Sequence, residues 1–149
     1  LLHKRAVSII HPDLATSGGI LETKKIGDYA EEFGISMAMH MAGSPVSALA
    51  NVHCAAATNN FLVLENHSVD LPAWNELIEG LPRPLMQDGF IEVPETPGLG
   101  FSALNEDLCR EFLDEDNPCF FDPSDHWDKE RSWDRLWSKV LDPVNDVNP

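Results

Sequence analysis

Three short, nearly all-apolar runs lie in the first half of the chain, at residues 6–10, 35–39 and 61–64. Runs of this length without alternation are typical of strands in a parallel sheet that is buried on both faces. The two segments between the runs show helical periodicity instead. The pattern therefore predicts the order strand–helix–strand–helix–strand, which is an α/β fold with a parallel sheet.

Both predicted helices carry recognisable end signals. Gly34 stands where a glycine commonly ends the first helix, and Ser44 followed by Pro45 fits a capping residue and a first-turn proline for the second. Asn59 and Asn60 interrupt the second helix before the third strand. The apolar face of the first helix is predicted from residues at i, i+3, i+4 and i+7, namely Ile26, Tyr29, Ala30 and Phe33.

The pattern becomes less regular after about residue 70. We predict a short helix at 72–80, a short strand at 89–93 and a helix at 105–113. A further helical segment at 122–140 spaces tryptophans at intervals that indicate packing. The inward-facing residues of the 105–113 helix are predicted to be Leu108, Phe112 and Leu113.

Composition narrows the possible classes of protein. The 149 residues suffice for one compact domain, and the formal net charge of −15 argues against nucleic-acid binding, which requires a basic face. No apolar run is long enough for a membrane span, so no membrane partner is expected. Cys54, Cys109 and Cys119 share no metal-ligand spacing, and their odd number does not suggest a disulfide framework. We therefore expect a cytoplasmic protein.

Candidate catalytic residues follow each of the three predicted strands. Asp13, His40 and Glu65 each open the loop after an apolar run. Because the carboxyl ends of parallel strands meet at one edge, these side chains are expected to converge. Asp13 can fix the tautomer of His40, which then acts as a general base. Glu65 could bind a developing enolate if it is protonated, or a substrate hydroxyl if it is ionised.

Each of these residues also has a structural alternative. Asp13 could simply cap the glycine-containing turn, His40 could be an ordinary strand-end residue, and Glu65 could be a solvated loop acid. Three ionisable residues at three successive strand ends favour a functional site over three separate structural roles. The first strand also begins close to residue 1, and three strands would leave two unpaired edges. We therefore expect further strands from the upstream polypeptide or from another chain.

The first strand is followed by Asp-Leu-Ala-Thr-Ser-Gly-Gly at residues 13–19, the helix at 20–34 and the strand that ends on His40. With these motifs the sequence resembles the mandelate racemase/muconate lactonizing enzyme group of the enolase superfamily. The resemblance continues through Gly-Phe-Ile-Glu-Val-Pro at residues 89–94 and Pro-Gly-Leu-Gly at residues 97–100. The intervals of 27 residues from Asp13 to His40 and 25 residues from His40 to Glu65 are similar to those of acid-sugar dehydratases in this group.

This resemblance implies a fold and a division of the chain. Residues 1–80 would be the C-terminal part of a (β/α) TIM-type barrel, about strands six to eight. Residues 81–149 would be an extension that returns to a capping domain. Asp13 and His40 match the catalytic dyad of the family, and His40 and Glu65 would contact the substrate. The implied activity is a lyase reaction, the Mg²⁺-dependent dehydration of a sugar acid such as an aldonate or aldarate, in a homo-oligomer.

The sequence also departs from the family pattern. The metal-binding carboxylates of strands three to five, and the second-strand base, have no counterpart in this chain. We therefore expect the Mg²⁺ ligands outside this chain and no activity from the segment alone. Two alternatives remain open, a racemase or epimerase of a 2-hydroxy acid and a non-catalytic paralogue.

Overall fold

The computed structural model describes residues 1–68 and 70–113, whose helices and strands belong to one compact unit, Leu1–Phe112. Its central feature is a three-stranded parallel sheet in the order β1 (Ile9–Ile10), β2 (Ser36–Met39) and β3 (Phe61–Leu64). Helix α1 (Gly19–Glu31) connects β1 to β2, and helix α2 (Pro45–Ala56) connects β2 to β3. The predicted order of elements and the parallel pairing are confirmed.

The main core lies between the sheet and the two helices. Met37 and Met39 alternate with less buried residues along β2 and are fully buried. Alternation of this kind places successive side chains on opposite faces of a strand. The two methionines therefore point towards the helices, and the opposite face of β2 carries Ala38 and, just beyond the strand, His40. The buried cluster comprises Leu14, Met37, Met39, Ala50, Cys54 and Ala55.

Hydrogen bonds hold the helices and strands in place. The backbone N–H of Ser47 donates to the hydroxyl oxygen of Ser44 at 3.4 Å, as predicted for the start of α2. The side-chain amide of Asn60 donates to the carbonyl oxygens of Gly27, at 3.0 Å, and Ile35, at 2.7 Å. Asn60 thus links the start of β3 to α1 and to the entry of β2.

The buried face of α1 differs from the predicted one. Ala30 is fully buried, but Ile26 is 37% exposed and Tyr29 is 50% exposed. The buried positions are instead Thr23, Gly27 and Ala30. A Cβ at Gly27 would lie 2.7 Å from the methyl carbon of Thr58, so the small residues of α1 allow a close approach that its larger apolar residues would prevent.

The sheet is not covered equally on its two faces within residues 1–68 and 70–113. Leu62 and Val63 of β3 are each more than half exposed, and Ile9 of β1 is also exposed. The prediction of a sheet buried on both faces is therefore not met by this part of the chain. Nothing in the described sequence supplies a strand beyond β1 or β3.

The second half departs further from the predictions. The helix predicted at 72–80 is wrong, because Trp74–Glu76 forms one 3₁₀ turn and Ile78–Glu79 forms strand β4. This strand pairs antiparallel with β5 (Ala103–Leu104), which the sequence pattern did not indicate. The indole N–H of Trp74 donates to the carbonyl oxygen of Gly43 at 2.7 Å. Such long-range contacts override local helical periodicity.

Two other predictions are corrected in this region. The strand predicted at 89–93 is absent from the described residues, where one isolated bridge joins Gln87 and Phe90. The helix predicted at 105–113 is present but shorter, as α3 (Glu106–Glu111), and Asn105 caps it. Its predicted inward face is wrong for Phe112, which is 63% exposed, whereas Leu108 and Leu113 are partly buried.

Some predictions are not addressed by these residues. The helical segment at 122–140 lies outside the described part of the chain, and the boundary near residue 80 stays a prediction. Among the helices of the described residues, none has the length and apolar character that a membrane crossing requires.

The core predicts a specific stability effect in the complete polypeptide that contains this chain. Met37→Ala should lower the free energy of unfolding by about 2–5 kcal/mol, because it leaves a cavity between β2 and the helices. Leu21→Ala, at an exposed position of α1, is the control and should change it by less than about 1 kcal/mol. Urea unfolding measures both. Equal effects of the two substitutions would contradict this assignment of the core.

Candidate active site

The register of the sheet brings the three predicted residues to one edge. Ile10 pairs with Met37, and the isolated parallel bridge between Asp13 and His40 continues the same offset of 27 residues. On the other side, the backbone N–H of Glu65 donates to the carbonyl oxygen of Met39 at 2.9 Å. His40 therefore lies between Asp13 and Glu65 at the carboxyl ends of the strands, because β2 is the central strand.

Asp13 and His40 form a direct hydrogen bond. The Nδ1 atom of His40 lies 2.7 Å from Oδ2 of Asp13, and both side chains are about one-third exposed or less. A carboxylate only accepts, so Nδ1 of His40 carries the proton and donates it. In the neutral ring this leaves the lone pair on Nε2. The Nε2 atom lies 3.6 Å from Oε2 of Glu65.

Asp13 has a structural role as well as this contact. Its Oδ1 atom accepts a hydrogen bond from the backbone N–H of Ala15 at 2.7 Å. Its carbonyl oxygen accepts from the backbone N–H groups of Thr16, at 3.1 Å, and Ser17, at 2.7 Å. The turn therefore fixes the carboxylate and directs Oδ2 towards His40. The capping alternative and the pairing with His40 are both satisfied.

Two histidines that the sequence reasoning missed complete the site. Nε2 of His67 donates to Oε1 of Glu65 at 2.6 Å, and Nε2 of His11 lies 3.1 Å from Oε2. Each of these histidines is two residues away from a predicted site residue, Asp13 or Glu65. Side chains two positions apart in extended backbone lie on the same side, so this spacing could have identified both of them.

His11 is bonded through both of its ring nitrogens. Nδ1 lies 2.9 Å from the carbonyl oxygen of Ala38, which can only accept, while Nε2 faces the carboxyl group of Glu65. These two contacts together fix the orientation of the His11 ring.

These neighbours change the acidity of Glu65. Partial desolvation is the largest single influence and raises its pKa. Hydrogen bonds and positive charge from His67, His11 and His40 together outweigh desolvation and lower the pKa below its ordinary value. Glu65 is therefore ionised at neutral pH and acts as a hydrogen-bond acceptor. This favours the second of the two roles considered for this residue.

Comparison with known proteins identifies the family. Residues 1–108 match the family model described as enolase C-terminal domain-like, and the chain belongs to this family. It is 46% identical over 102 residues to a D-xylonate dehydratase from Haloferax volcanii, covering 68% of this chain and 24% of that protein. It is 35% identical over 114 residues to a D-gluconate/D-galactonate dehydratase from Picrophilus torridus, covering 74% of this chain and 29% of that protein.

Solved structures agree with this assignment. A mandelate racemase/muconate lactonizing enzyme-like protein from Rubrobacter xylanophilus superimposes with a TM-score of 0.75 at 41% identity, covering 81% of this chain and 30% of that chain. The corresponding protein from Jannaschia sp. CCS1 gives a TM-score of 0.67 at 35% identity, covering 78% of this chain and 28% of that chain. The mixed α/β fold and the predicted family are thus confirmed. The chain spans about a quarter of the length of the curated relatives it matches.

Members of the enolase superfamily typically bind Mg²⁺, an ion that prefers an octahedron of oxygen ligands. Among the described residues, His40, Glu65 and His67 form a group whose donor atoms lie within 4.8 Å of one another. This group offers one carboxylate and two imidazole nitrogens, which is a different donor set from the one that Mg²⁺ prefers. These residues therefore do not fit Mg²⁺, and we assign no step of the chemistry to that ion.

The geometry predicts the effect of Asp13→Asn on the tautomer of His40. The N–H of Ala15 should keep the amide oxygen of the new side chain, so the NH₂ group would face Nδ1 of His40. Nδ1 would become an acceptor, and the proton would move to Nε2. Nitrogen-15 NMR of the labelled histidine measures this change. Asp28→Asn, on the exposed side of α1, should leave the tautomer unchanged, and a variant at Asp13 that keeps Nδ1 protonated would refute the expectation.

A second prediction concerns the titration of Glu65. Carboxyl carbon-13 NMR should show a midpoint below the ordinary value of about 4.3, and His67→Ala should raise it. Because the folded-state pKa is lowered, the contribution of Glu65 to stability is present above the unfolded pKa. It is lost as the pH falls through the lower folded pKa. His3→Ala, outside the site, is the control, and an unchanged midpoint in His67→Ala would contradict the assigned cause.

Proposed function

We propose that this chain supplies the proton-transfer residues of a sugar-acid dehydratase. The observation that carries the proposal is the 2.7 Å hydrogen bond between Asp13 and His40, which leaves Nε2 of His40 directed towards Glu65. An imidazole oriented by a carboxylate is a typical general base for abstracting a proton next to a carboxylate group. The names of the relatives from Haloferax volcanii and Picrophilus torridus support a sugar acid as the substrate class.

In this proposal the first step is removal of the α-proton. The lone pair on Nε2 of His40 takes the proton, and the electrons of the C–H bond pass into the carboxylate group of the substrate to form an enediolate. The resulting imidazolium is stabilised by Asp13, which accepts the hydrogen bond from Nδ1. A carboxylate positioned in this way also prevents the ring from rotating away from the substrate.

The second step is loss of the β-hydroxyl group. The electrons of the enediolate return to form a carbon–carbon double bond as the C–O bond breaks. The imidazolium of His40 gives its proton to the leaving oxygen, which departs as water, and His40 returns to its neutral form. The enol product then tautomerises to a 2-oxo-3-deoxy acid. One histidine serves as base and then as acid, so the proton balance closes without another group from this chain.

Glu65 is proposed to orient the substrate through a hydroxyl group. Its lowered pKa keeps it ionised, so it accepts hydrogen bonds and does not donate one to an enediolate oxygen. An ionised Glu65 would repel the carboxylate of a sugar acid, and a hydroxyl donor is the better partner. The hydrogen bonds from His11 and His67 fix its position.

The remainder of the enzyme is also part of the proposal. We place β1, β2 and β3 as about the sixth to eighth strands of a TIM-type barrel whose other strands come from the upstream polypeptide or another chain. The exposed apolar residues Leu62 and Val63 support such a neighbour. Ligands for Mg²⁺ and cationic groups for an anionic substrate would come from those strands, in a homo-oligomer.

Two rival functions remain to be separated from this one. A racemase or epimerase would exchange the α-proton without losing water, and it requires a second base on the opposite face of the substrate. A non-catalytic paralogue would do neither. Proton NMR in D₂O with D-xylonate, D-gluconate and D-galactonate distinguishes all three, because it detects the 2-oxo-3-deoxy product and deuterium incorporation separately.

The central test replaces the proposed base in the complete polypeptide. His40→Asn should lower kcat by about 10²–10⁴-fold, because the amide side chain cannot accept the α-proton. Its thermal unfolding should stay close to that of the wild type, since the side chain of His40 is one-third exposed. A wild-type rate in this variant would exclude His40 as the base.

His3→Asn provides the matched control for this test. His3 is exposed, lies in the 3₁₀ turn Leu2–Lys4 and bonds to the hydroxyl group of Tyr29, outside the candidate site. Its substitution should leave kcat within about twofold of the wild type.

A further inference from the structure

The cluster around Glu65 brings together side chains of the types that bind transition-metal ions. One ring nitrogen of His40, one ring nitrogen of His67 and a carboxylate oxygen of Glu65 all lie within 4.8 Å of one another. The Nε2 atoms of His40 and His67 lie 3.6 Å and 2.6 Å from the carboxylate oxygens of Glu65. Two imidazoles and one carboxylate form the ligand set of a common type of zinc site, with a fourth position left for water. Imidazole ligands favour zinc-type ions over Mg²⁺.

The hydrogen bonds to these three residues from neighbouring side chains are also of the kind found around metal ligands. A metal-binding histidine usually donates its other ring N–H to a carboxylate, and Nδ1 of His40 does so to Asp13 at 2.7 Å. A metal-binding carboxylate is usually held by a further hydrogen bond. His11 provides one to Oε2 of Glu65 at 3.1 Å. An ion would replace the hydrogen bond between Nε2 of His67 and Oε1 of Glu65, and the proton on Nε2 would move to Nδ1, which frees the Nε2 lone pair.

We propose that His40, Glu65 and His67 bind Zn²⁺ or a similar divalent transition metal, and that this ion inhibits the enzyme. The Nε2 lone pair of His40 would bind the ion and could not accept a proton. A metal bound to Glu65 would also occupy the space assigned to a substrate hydroxyl. The binding stands on geometry alone, whereas the inhibition rests on the proposed role of His40.

His67 makes this proposal testable, because it is a ligand that the proton-transfer mechanism does not use. In the complete polypeptide with saturating Mg²⁺, calorimetry should detect Zn²⁺ binding, and Co²⁺ should develop the visible absorption of a four-coordinate site. His67→Asn removes a ligand and should weaken the binding of both Zn²⁺ and Co²⁺ by more than about 100-fold. Loss of a residue that only hydrogen-bonds to a ligand typically costs roughly 10–100-fold. His11→Asn, which removes the hydrogen bond to Oε2, should weaken the binding of both ions by about 10–100-fold.

Controls separate this site from other metal-binding positions. His3→Asn, at an exposed histidine bonded to Tyr29, should bind Zn²⁺ as the wild type does. His67 is 60% exposed, so its substitution should not prevent folding, and thermal unfolding without metal checks this. Unchanged Zn²⁺ affinity in both His67→Asn and Glu65→Gln would overturn the proposal, as would a wild type that binds no Zn²⁺ in the presence of Mg²⁺.

Inhibition is measured separately from binding. In saturating Mg²⁺, each variant's rate is expressed relative to its own rate without Zn²⁺. The concentration of Zn²⁺ that halves this rate should rise in His67→Asn in parallel with the weakened binding. Zn²⁺ that binds at these residues without slowing turnover would overturn the inhibitory part. If no sugar acid is turned over but the Co²⁺ spectrum depends on His67, the dehydratase proposal fails while the metal site stands.

Discussion

The parallel register of three short strands is the constraint on which the site depends. Because β1 and β2 pair with an offset that carries Ile10 to Met37, the same offset sets Asp13 beside His40 just beyond the strands. The neighbouring pair, β2 and β3, brings Glu65 to the other side of the same histidine. The polar residues meet at one edge because the methionines of β2 are fully buried against the helices, which fixes which face His40 occupies.

The hydrogen bonds at this edge differ among the three histidines. His40 donates from Nδ1 to Asp13 and keeps its other nitrogen available, which suits an acid/base group. Both ring nitrogens of His11 are in contact with acceptor groups, the carbonyl oxygen of Ala38 and the carboxylate of Glu65. His67 is the most exposed of the three and bonds to Glu65 through one nitrogen. Desolvation raises the pKa of Glu65, but hydrogen bonds and electrostatic interactions with these histidines outweigh it, so the pKa is lowered.

The comparisons and the geometry of the site answer different questions about this protein. The family model and the dehydratase relatives define the class of protein, and this chain covers 24% of the D-xylonate dehydratase it matches. The hydrogen bonds define which chemistry these residues can perform. The donor set around Glu65 is suited to zinc-type ions and not to Mg²⁺.

Local sequence determined much of the fold and the first members of the site. Apolar runs and capping residues such as Ser44 predicted the order of strands and helices, because these signals act over a few residues. The positions of Asp13 and His40 after successive parallel strands predicted that the two side chains meet, and they form a hydrogen bond. Only tertiary structure decided the buried face of α1, where Gly27 permits close packing against Thr58, and the pairing of β4 with β5. Tertiary structure also decided that His11 and His67 converge on Glu65. His11 lies 54 residues before Glu65, so their contact depends on the register of the strands.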